Sequence, residues 1–218
     1  GLTETTAATN VNWPGAIRIG TVGRPIPGTS VRLGPDGELL YRGGQVISSY
    51  WNNPTATSES IDPEGWFHTG DLGEIDDDGY VRITGRKKEI LVTAGGKNVV
   101  PALLEDRIRS HWLVSQCLVV GDARPFVAAL VTIDPDALPA WLSQHGRPAS
   151  TSVAEIVDDP DLRATIQDAI DLGNKAVSHA EAIKKFVIVP NDWSESSGEM
   201  TPSMKLKRKV IMEAYAPL

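Results

Sequence analysis

Apolar and polar positions alternate with a period of two in four short runs of the first 86 residues, at 16–20, 30–34, 37–43 and 79–85, each bounded by Gly, Pro or Asp. That pattern predicts short antiparallel strands joined by tight turns. Pro35-Asp36-Gly37 and Asp77-Asp78-Gly79 have the make-up of hairpin turns, because Gly reaches the positive φ such turns need. Strands this short with turns this frequent predict a small barrel or sandwich.

Beyond Gly85 the period lengthens. Residues 101–111 begin with Pro, and Leu104, Ile108 and the following Trp112 recur at every fourth position, which predicts a helix with Glu105 and Asp106 near its start. Apolar runs at 116–120 and 126–133 predict strands. Asp134-Pro135-Asp136 predicts a helix reaching about Gln144, and Asp158-Asp159-Pro160-Asp161 a capped start for a longer one. The inward stripe of that second helix is Leu162, Ile166, Ala169, Ile170, Gly173 and Val177. Residues 184–189 read as a strand, and Thr201-Pro202 as the cap of a last helix with Leu206, Val210 and Ala214 on its apolar side. The expected fold class is α+β: a small β-barrel-like subdomain over residues 1–86, then a mixed α+β domain over residues 87–218.

Composition narrows the function classes. The chain has 218 residues, 41% of them hydrophobic, which is enough for one large domain or two modest ones. Lys+Arg 21 against Asp+Glu 28 gives a net charge of −7, which counts against a general nucleic-acid binder. The single thiol, Cys117, lies in the strand-like stretch 114–120, so no internal disulfide forms and a reducing, cytoplasmic compartment is expected. No run approaches the ~18 apolar residues of a membrane-spanning helix. The first residues, Gly1-Leu2-Thr3-Glu4-Thr5-Thr6, show neither an initiator Met nor a leader pattern, and the chain is expected to be a piece of a longer protein.

Several familiar chemistries are excluded. Ala94-Gly95-Gly96-Lys97-Asn98 lacks the leading Gly and the trailing Ser/Thr of a P-loop. His68, His111, His145 and His179 have no ligand spacing, and one Cys excludes the usual structural zinc site. There is no Gly-x-Ser-x-Gly elbow. Three polar clusters remain. In Trp66-Phe67-His68-Thr69-Gly70-Asp71-Leu72-Gly73, Asp71 has the two acceptor oxygens that take both hydroxyls of a ribose, and its glycines let a sugar approach the backbone; alone, the same Asp would simply organise a turn. Gly85-Arg86-Lys87-Lys88-Glu89-Ile90 is either a phosphate site or a solvated charge run. Thr201-Pro202-Ser203-Met204-Lys205-Leu206-Lys207-Arg208-Lys209 suits a surface helix, except that the helix dipole disfavours a cation in the first turn.

Taken in order, these segments resemble the C-terminal portion of AMP-forming long-chain fatty acyl-CoA synthetases, members of the adenylate-forming superfamily. Gly1-Leu2-Thr3-Glu4-Thr5 resembles the end of the family's Tyr-Gly-x-Thr-Glu motif, and Gly37-Glu38-Leu39-Leu40-Tyr41-Arg42-Gly43 its next block. The string from Gly65 to Gly73, the hinge block Gly85-Arg86-Lys87-Lys88-Glu89-Ile90 with 95–101 and Glu105, and Thr201-Pro202-Ser203-Met204-Lys205 with Arg208 complete five motifs in order. The helical stretch between Ile133 and Lys184 is also similar to the long-chain branch.

The resemblance implies a two-step ligase: ATP turns a fatty acid into an acyl-adenylate with release of pyrophosphate, and the thiol of coenzyme A then displaces AMP. It implies that Asp71 accepts the ribose hydroxyls, Arg86 helps bind the nucleotide, Thr3 touches the α-phosphate and Glu4 holds Mg²⁺. Lys205 would neutralise charge building between the α-phosphate and the attacking carboxylate. Lys88 falls on the hinge about which the C-terminal domain swings, and Gly95 and Gly96 line the coenzyme A channel. The phosphate loop and acyl pocket of the family lie outside this chain, so the chain alone is expected to be inactive. Two alternatives keep the same motifs: a fatty acyl-AMP ligase that loads a carrier protein, and a non-catalytic docking module, the latter disfavoured because Asp71, Arg86, Lys88 and Lys205 are all present. Peripheral contact with the inner face of a membrane rests only on Lys205, Lys207, Arg208 and Lys209, at about 1 kcal/mol each near anionic lipid.

Overall fold

A computed structural model of the protein describes residues 1–216, which fall into two compact units, Gly1–Ile90 and a second that begins at Leu91. In the first, β1 (Asn10–Val11) pairs with β2 (Arg24–Pro25), and β3 (Thr29–Leu33), β4 (Glu38–Gly43), β5 (Phe67–Ile75) and β6 (Val81–Arg86) form an antiparallel sheet in that order. A bridge between Gly23 and Val81 ties the ribbon to the sheet. Gly37 and Gly79 hold φ of 80° and 79° in the turns that open β4 and β6, as the hairpin reading requires.

Two features of this unit differ from expectation. Residues 16–20 pair with no strand, and Ile17 and Ile19 lie exposed. Side chains hold the segment instead of a ladder: the Arg18 guanidinium reaches Asp76 and Asp78 and lies over the Tyr80 ring, the Tyr80 hydroxyl donates to Ala16 O, and Asn12 Oδ1 accepts the Arg18 N–H. The second is α1 (Pro54–Ser60), capped by Asn53 Oδ1, which accepts from the Ala56 N–H. It buries no residue and therefore has no apolar stripe to read.

The second unit opens with a ribbon of β7 (Leu91–Val92) and β8 (Asn98–Val99), then α2 (Pro101–Arg109), β9 (Val114–Val120) and β10 (Val127–Ile133). Helices α3 (Leu138–Gln144), α4 (Val153–Ile156) and α5 (Pro160–Asn174) lead to β11 (Ile183–Val189), and α6 (Arg208–Ala214) follows. The sheet order is β11-β10-β9, with β10 antiparallel to β9 and parallel to β11. A parallel pair needs a long crossover, and α3 to α5 supply it.

Alternate residues of this sheet enter two cores. Cys117, Val119, Val127, Ala129, Val131 and Ile188 face Leu104, Ile108, Ile166 and Ile170 of α2 and α5. Leu118, Leu130 and Val189 face Trp193, Met200 and Ile211. A sheet covered on both faces reads as unbroken apolar runs, which is the pattern seen at 116–120 and 126–133. Asp159 caps α5 by accepting from the Asp161 and Leu162 N–H groups, as its sequence predicts.

Three helix readings need correction: Val177 of the predicted α5 stripe lies beyond the helix, which ends at Asn174, though it still packs against the same core. Trp112 does not continue the α2 stripe: the helix ends at Arg109, and Trp112 is 48% exposed. The last helix starts at Arg208 rather than at the Thr201-Pro202 cap. Met200 bridges Leu206, Lys207 N–H donates to Glu199 O, and Thr201 and Lys205 exchange bonds, so residues 201–205 form a hairpin loop instead of a first turn. Ile211 is the buried residue of α6, while Val210 is exposed.

Gly173 marks where α5 meets α2. A Cβ there would lie 2.7 Å from Ile108 Cγ1, so the helices approach only because that atom is missing. Gly173→Ala should therefore lower stability by about 1–3 kcal/mol, although the same change in an exposed helix gains stability. Chemical denaturation of the 218-residue chain checks this, and a stabilised variant would contradict the packing.

Candidate nucleotide site and catalytic loop

Asp71 on β5 and Arg86 on β6 are direct cross-strand partners. Arg86 Nε lies 2.6 Å from Asp71 Oδ1. Asp71 is 7% exposed, and burial pushes its carboxyl above the ordinary aspartate value, with the neighbouring Arg86 charge offsetting part of the rise. Gly70 holds φ 72° beside it, and its N–H donates to Glu38 Oε1 at 2.7 Å. The other Glu38 oxygen sits 3.3 Å from both His68 Nδ1 and Lys87 Nζ, and Lys87 also pairs with Asp36 at 2.5 Å.

Glu38, His68, Gly70, Arg86 and Lys87 line a cleft of about 380 Å³ within the first unit, together with Glu4, Tyr50 and Thr69 among others, and Asp71 adjoins it through Arg86. Glu4 stands on a 3-10 turn at Thr3–Thr5, and Tyr50 donates its hydroxyl to Glu4 Oε1 at 3.0 Å. Thr3 is next to it with its side chain exposed. Of the residues picked from sequence, the fold thus gathers Glu4, Arg86 and, through Arg86, Asp71. Lys88 lies exposed in the 3-10 turn Lys87–Glu89 that follows β6.

The second unit holds the rest. Gly95 and Gly96 occupy the turn between β7 and β8, where Gly96 N–H donates to Thr93 O and Lys97 N–H to Thr93 Oγ1. Gly96 needs glycine for its φ of 76°; Gly95 has its nearest neighbour, Thr93 Oγ1, 3.9 Å from where a Cβ would stand. Lys205 is exposed in the hairpin loop, directly after Met204 at φ 60°. Arg208 is not part of an exposed basic face, since its guanidinium turns to Glu105. That leaves Lys205, Lys207 and Lys209 of the four cations weighed for membrane contact.

Glu38 escaped the sequence reading. Its signal is an acid opening an otherwise apolar strand, Glu38-Leu39-Leu40-Tyr41, all four of which are buried. Among the described residues no cluster of three His, Cys, Asp or Glu could hold a metal by itself.

Residues 88–218 match the family model of the AMP-binding enzyme C-terminal domain. The chain belongs to that family. It is 55% identical over 216 residues to the long-chain-fatty-acid–CoA ligase FadD15 of Mycobacterium bovis, and 54% to its Mycobacterium tuberculosis counterpart. In each case the match covers 99% of this chain and 36% of the relative, so the chain spans about a third of their length. Among solved structures, apo MatB from Rhodopseudomonas palustris is 27% identical, with a TM-score of 0.64 over 99% of this chain and 40% of its own. The anthranilate CoA ligase AuaEII shares the fold, with a TM-score of 0.72 at 23% identity over 100% of this chain and 40% of its own. The resemblance read from the motifs, and the α+β class of this AMP-binding enzyme C-terminal domain, are borne out.

The buried carboxyl of Asp71 makes a pH prediction. With its folded pKa raised, the group favours the folded state below the ordinary value of 3.8, and that contribution is lost as pH rises through the raised value. Stability of Asp71→Asn relative to the parent chain should therefore climb as pH increases from about 4, because the amide has no proton to lose. Denaturation of both chains across pH measures it; a flat difference would show that Asp71 ionises at no cost.

Proposed function

We propose that this chain is the C-terminal part of a long-chain fatty acid–CoA ligase. The observation that carries the reading is the 55% identity to FadD15 over nearly the whole chain. The pairing of Asp71 with Arg86 at the edge of a polar cleft supports it. In the first half-reaction a carboxylate oxygen of the fatty acid attacks the α-phosphorus of ATP, and the bond to pyrophosphate breaks. In the second, the sulfur of coenzyme A attacks the acyl carbonyl, the bond to AMP breaks, and the thiol proton passes to solvent.

Asp71 takes the ribose hydroxyls, with Arg86 shifting from its carboxylate toward the nucleotide. Thr3 contacts the α-phosphate. Glu4 suits Mg²⁺ as a single hard ligand, since that ion takes one or two carboxylates and fills its shell with phosphate oxygens and water. When bound, the ion neutralises phosphate charge. Lys205 brings an ammonium to the charge that develops between carboxylate and α-phosphate, where fixed opposite charge acts most strongly. Gly95 and Gly96 leave the pantetheine arm free to run close to backbone. Lys88 is the pivot between an arrangement that presents Lys205 and one that presents the Gly95–Gly96 turn.

Two variants of the full-length ligase test this division of labour. Lys205→Ala should abolish fatty-acid-dependent exchange of pyrophosphate into ATP, yet leave thioester formation from supplied acyl-adenylate within about threefold. Gly95→Ala, which the turn accommodates, should do the reverse, slowing thioester formation by about tenfold or more. Equal losses in both half-reactions for either variant would sink the assignment.

A further inference from the structure

Arg208 is the first residue of α6, a seven-residue helix, and so places a cation where the helix dipole opposes it. A helix this short draws little stability from its own backbone bonds, so its start is fixed by what packs against it. The partner is Glu105 of α2, 7% exposed, whose Oε2 accepts from the Arg208 guanidinium. Glu105 Oε1 accepts the Val119 N–H at 2.7 Å, and Arg208 NH1 approaches the Val119 carbonyl at 3.5 Å. Val119 lies on β9, an edge strand of the sheet, and pairs with Ala129 on its other side. The two side chains therefore stand in for a missing neighbour strand, engaging both backbone groups of one edge residue.

Such a buried pair is a poor device for stability, because apolar residues of the same volume serve as well or better. It does fix position, and its position relative to Lys205 is informative. The hairpin that carries Lys205 is held by Met200, which is 1% exposed in the core with Leu118 and Leu130, and by the bridge from Met200 to Leu206. Its far end is Arg208, three residues beyond Lys205. The Arg208–Glu105–Val119 bonds add a directional polar anchor to that end, beside the Lys207–Glu199 backbone bond and the packing of Leu206 and Ile211.

We propose that Glu105 and Arg208 are positioning residues for adenylation, acting through the hairpin to set the place of the Lys205 ammonium. This rests on the reading of Lys205 given above. It gives a physical reason for a cation at the first position of α6 and for a buried acid in the apolar face of α2.

The test uses the full-length ligase and three variants. Glu105→Gln keeps shape and removes the charge; Arg208→Lys keeps the charge and removes the planar fork. Both should lower kcat for pyrophosphate exchange by about tenfold to a hundredfold, the effect of a displacement near 1 Å, with KM for ATP within about threefold. Thioester formation from supplied acyl-adenylate should stay within about threefold in the same preparations. If Glu105→Gln yields no folded protein, Arg208→Lys carries the test alone. A parallel fall in both half-reactions, or unchanged exchange in a folded variant, overturns the proposal. Lys205→Ala separates the two layers: if it retains exchange, the assignment of Lys205 fails, whereas if it loses exchange while Glu105→Gln keeps it, only the positioning role fails.

Discussion

A three-stranded sheet with two apolar faces cannot be left uncovered, and the second unit is organised around that demand. Leu118, Leu130 and Val189 point one way, and Cys117, Val119, Ala129 and Val131 the other. Helices α2 and α5 cover one face. The other is covered by the segment after β11 and by α6, with Trp193, Met200 and Ile211 supplying the apolar area. Burying a side chain of this kind contributes about 1.5–3 kcal/mol, so three of them hold the segment down firmly. The exposed Lys205 hairpin is what remains between two of those contacts. Its location thus follows from the need to cover Leu118 and Leu130.

The first unit is governed instead by charge in a poorly hydrated place. Asp71 is nearly buried, and the Arg86 guanidinium against it offsets only part of the cost. The pair is set by strand register, since the two residues face each other across β5 and β6. A one-residue slip would send one of them to the opposite face of the sheet. Glu38 limits such a slip from the other side of β5, by accepting the Gly70 N–H and facing Lys87.

Period and punctuation made most elements legible. The α5 stripe from Leu162 to Gly173 is buried as read, and the strands at 114–120 and 183–189 lie within a few residues of their predicted bounds. The failures share a cause. At 16–20 the contacts of Arg18 with Asp76 and Asp78, and of Ala16 with Tyr80, set the conformation in place of a ladder. At 201–207 a cap-like Thr-Pro pair reads as a helix start, but the Met200–Leu206 bridge competes and wins. The first outcome depends on acids distant in sequence and the second on the burial of Met200 in one core with Leu118 and Leu130, and local pattern shows neither. Asp71 and Arg86 were singled out through motif resemblance, since local pattern alone allows a turn and a solvated charge run; their pairing across β5 and β6 appears only in the fold. Glu38 was not, because one acid among apolar neighbours is indistinguishable from a strand end until its partners are known.

Glu38 and Glu105 share a design. Each is buried, each accepts a backbone N–H at 2.7 Å, and each faces a cation on a segment that leads to a proposed functional residue. A buried carboxylate with only a backbone donor would be costly, and one with only a cation would leave that donor unsatisfied. Meeting both requirements ties a fixed element of the sheet to a segment that has little apolar surface of its own. That solves a problem any enzyme with exposed reactive groups must meet. Lys205 and Arg86 cannot be buried if they are to reach a ligand, so hydrophobic packing cannot locate them directly. A carboxylate one step back can, because its bonds are directional where apolar contact is not.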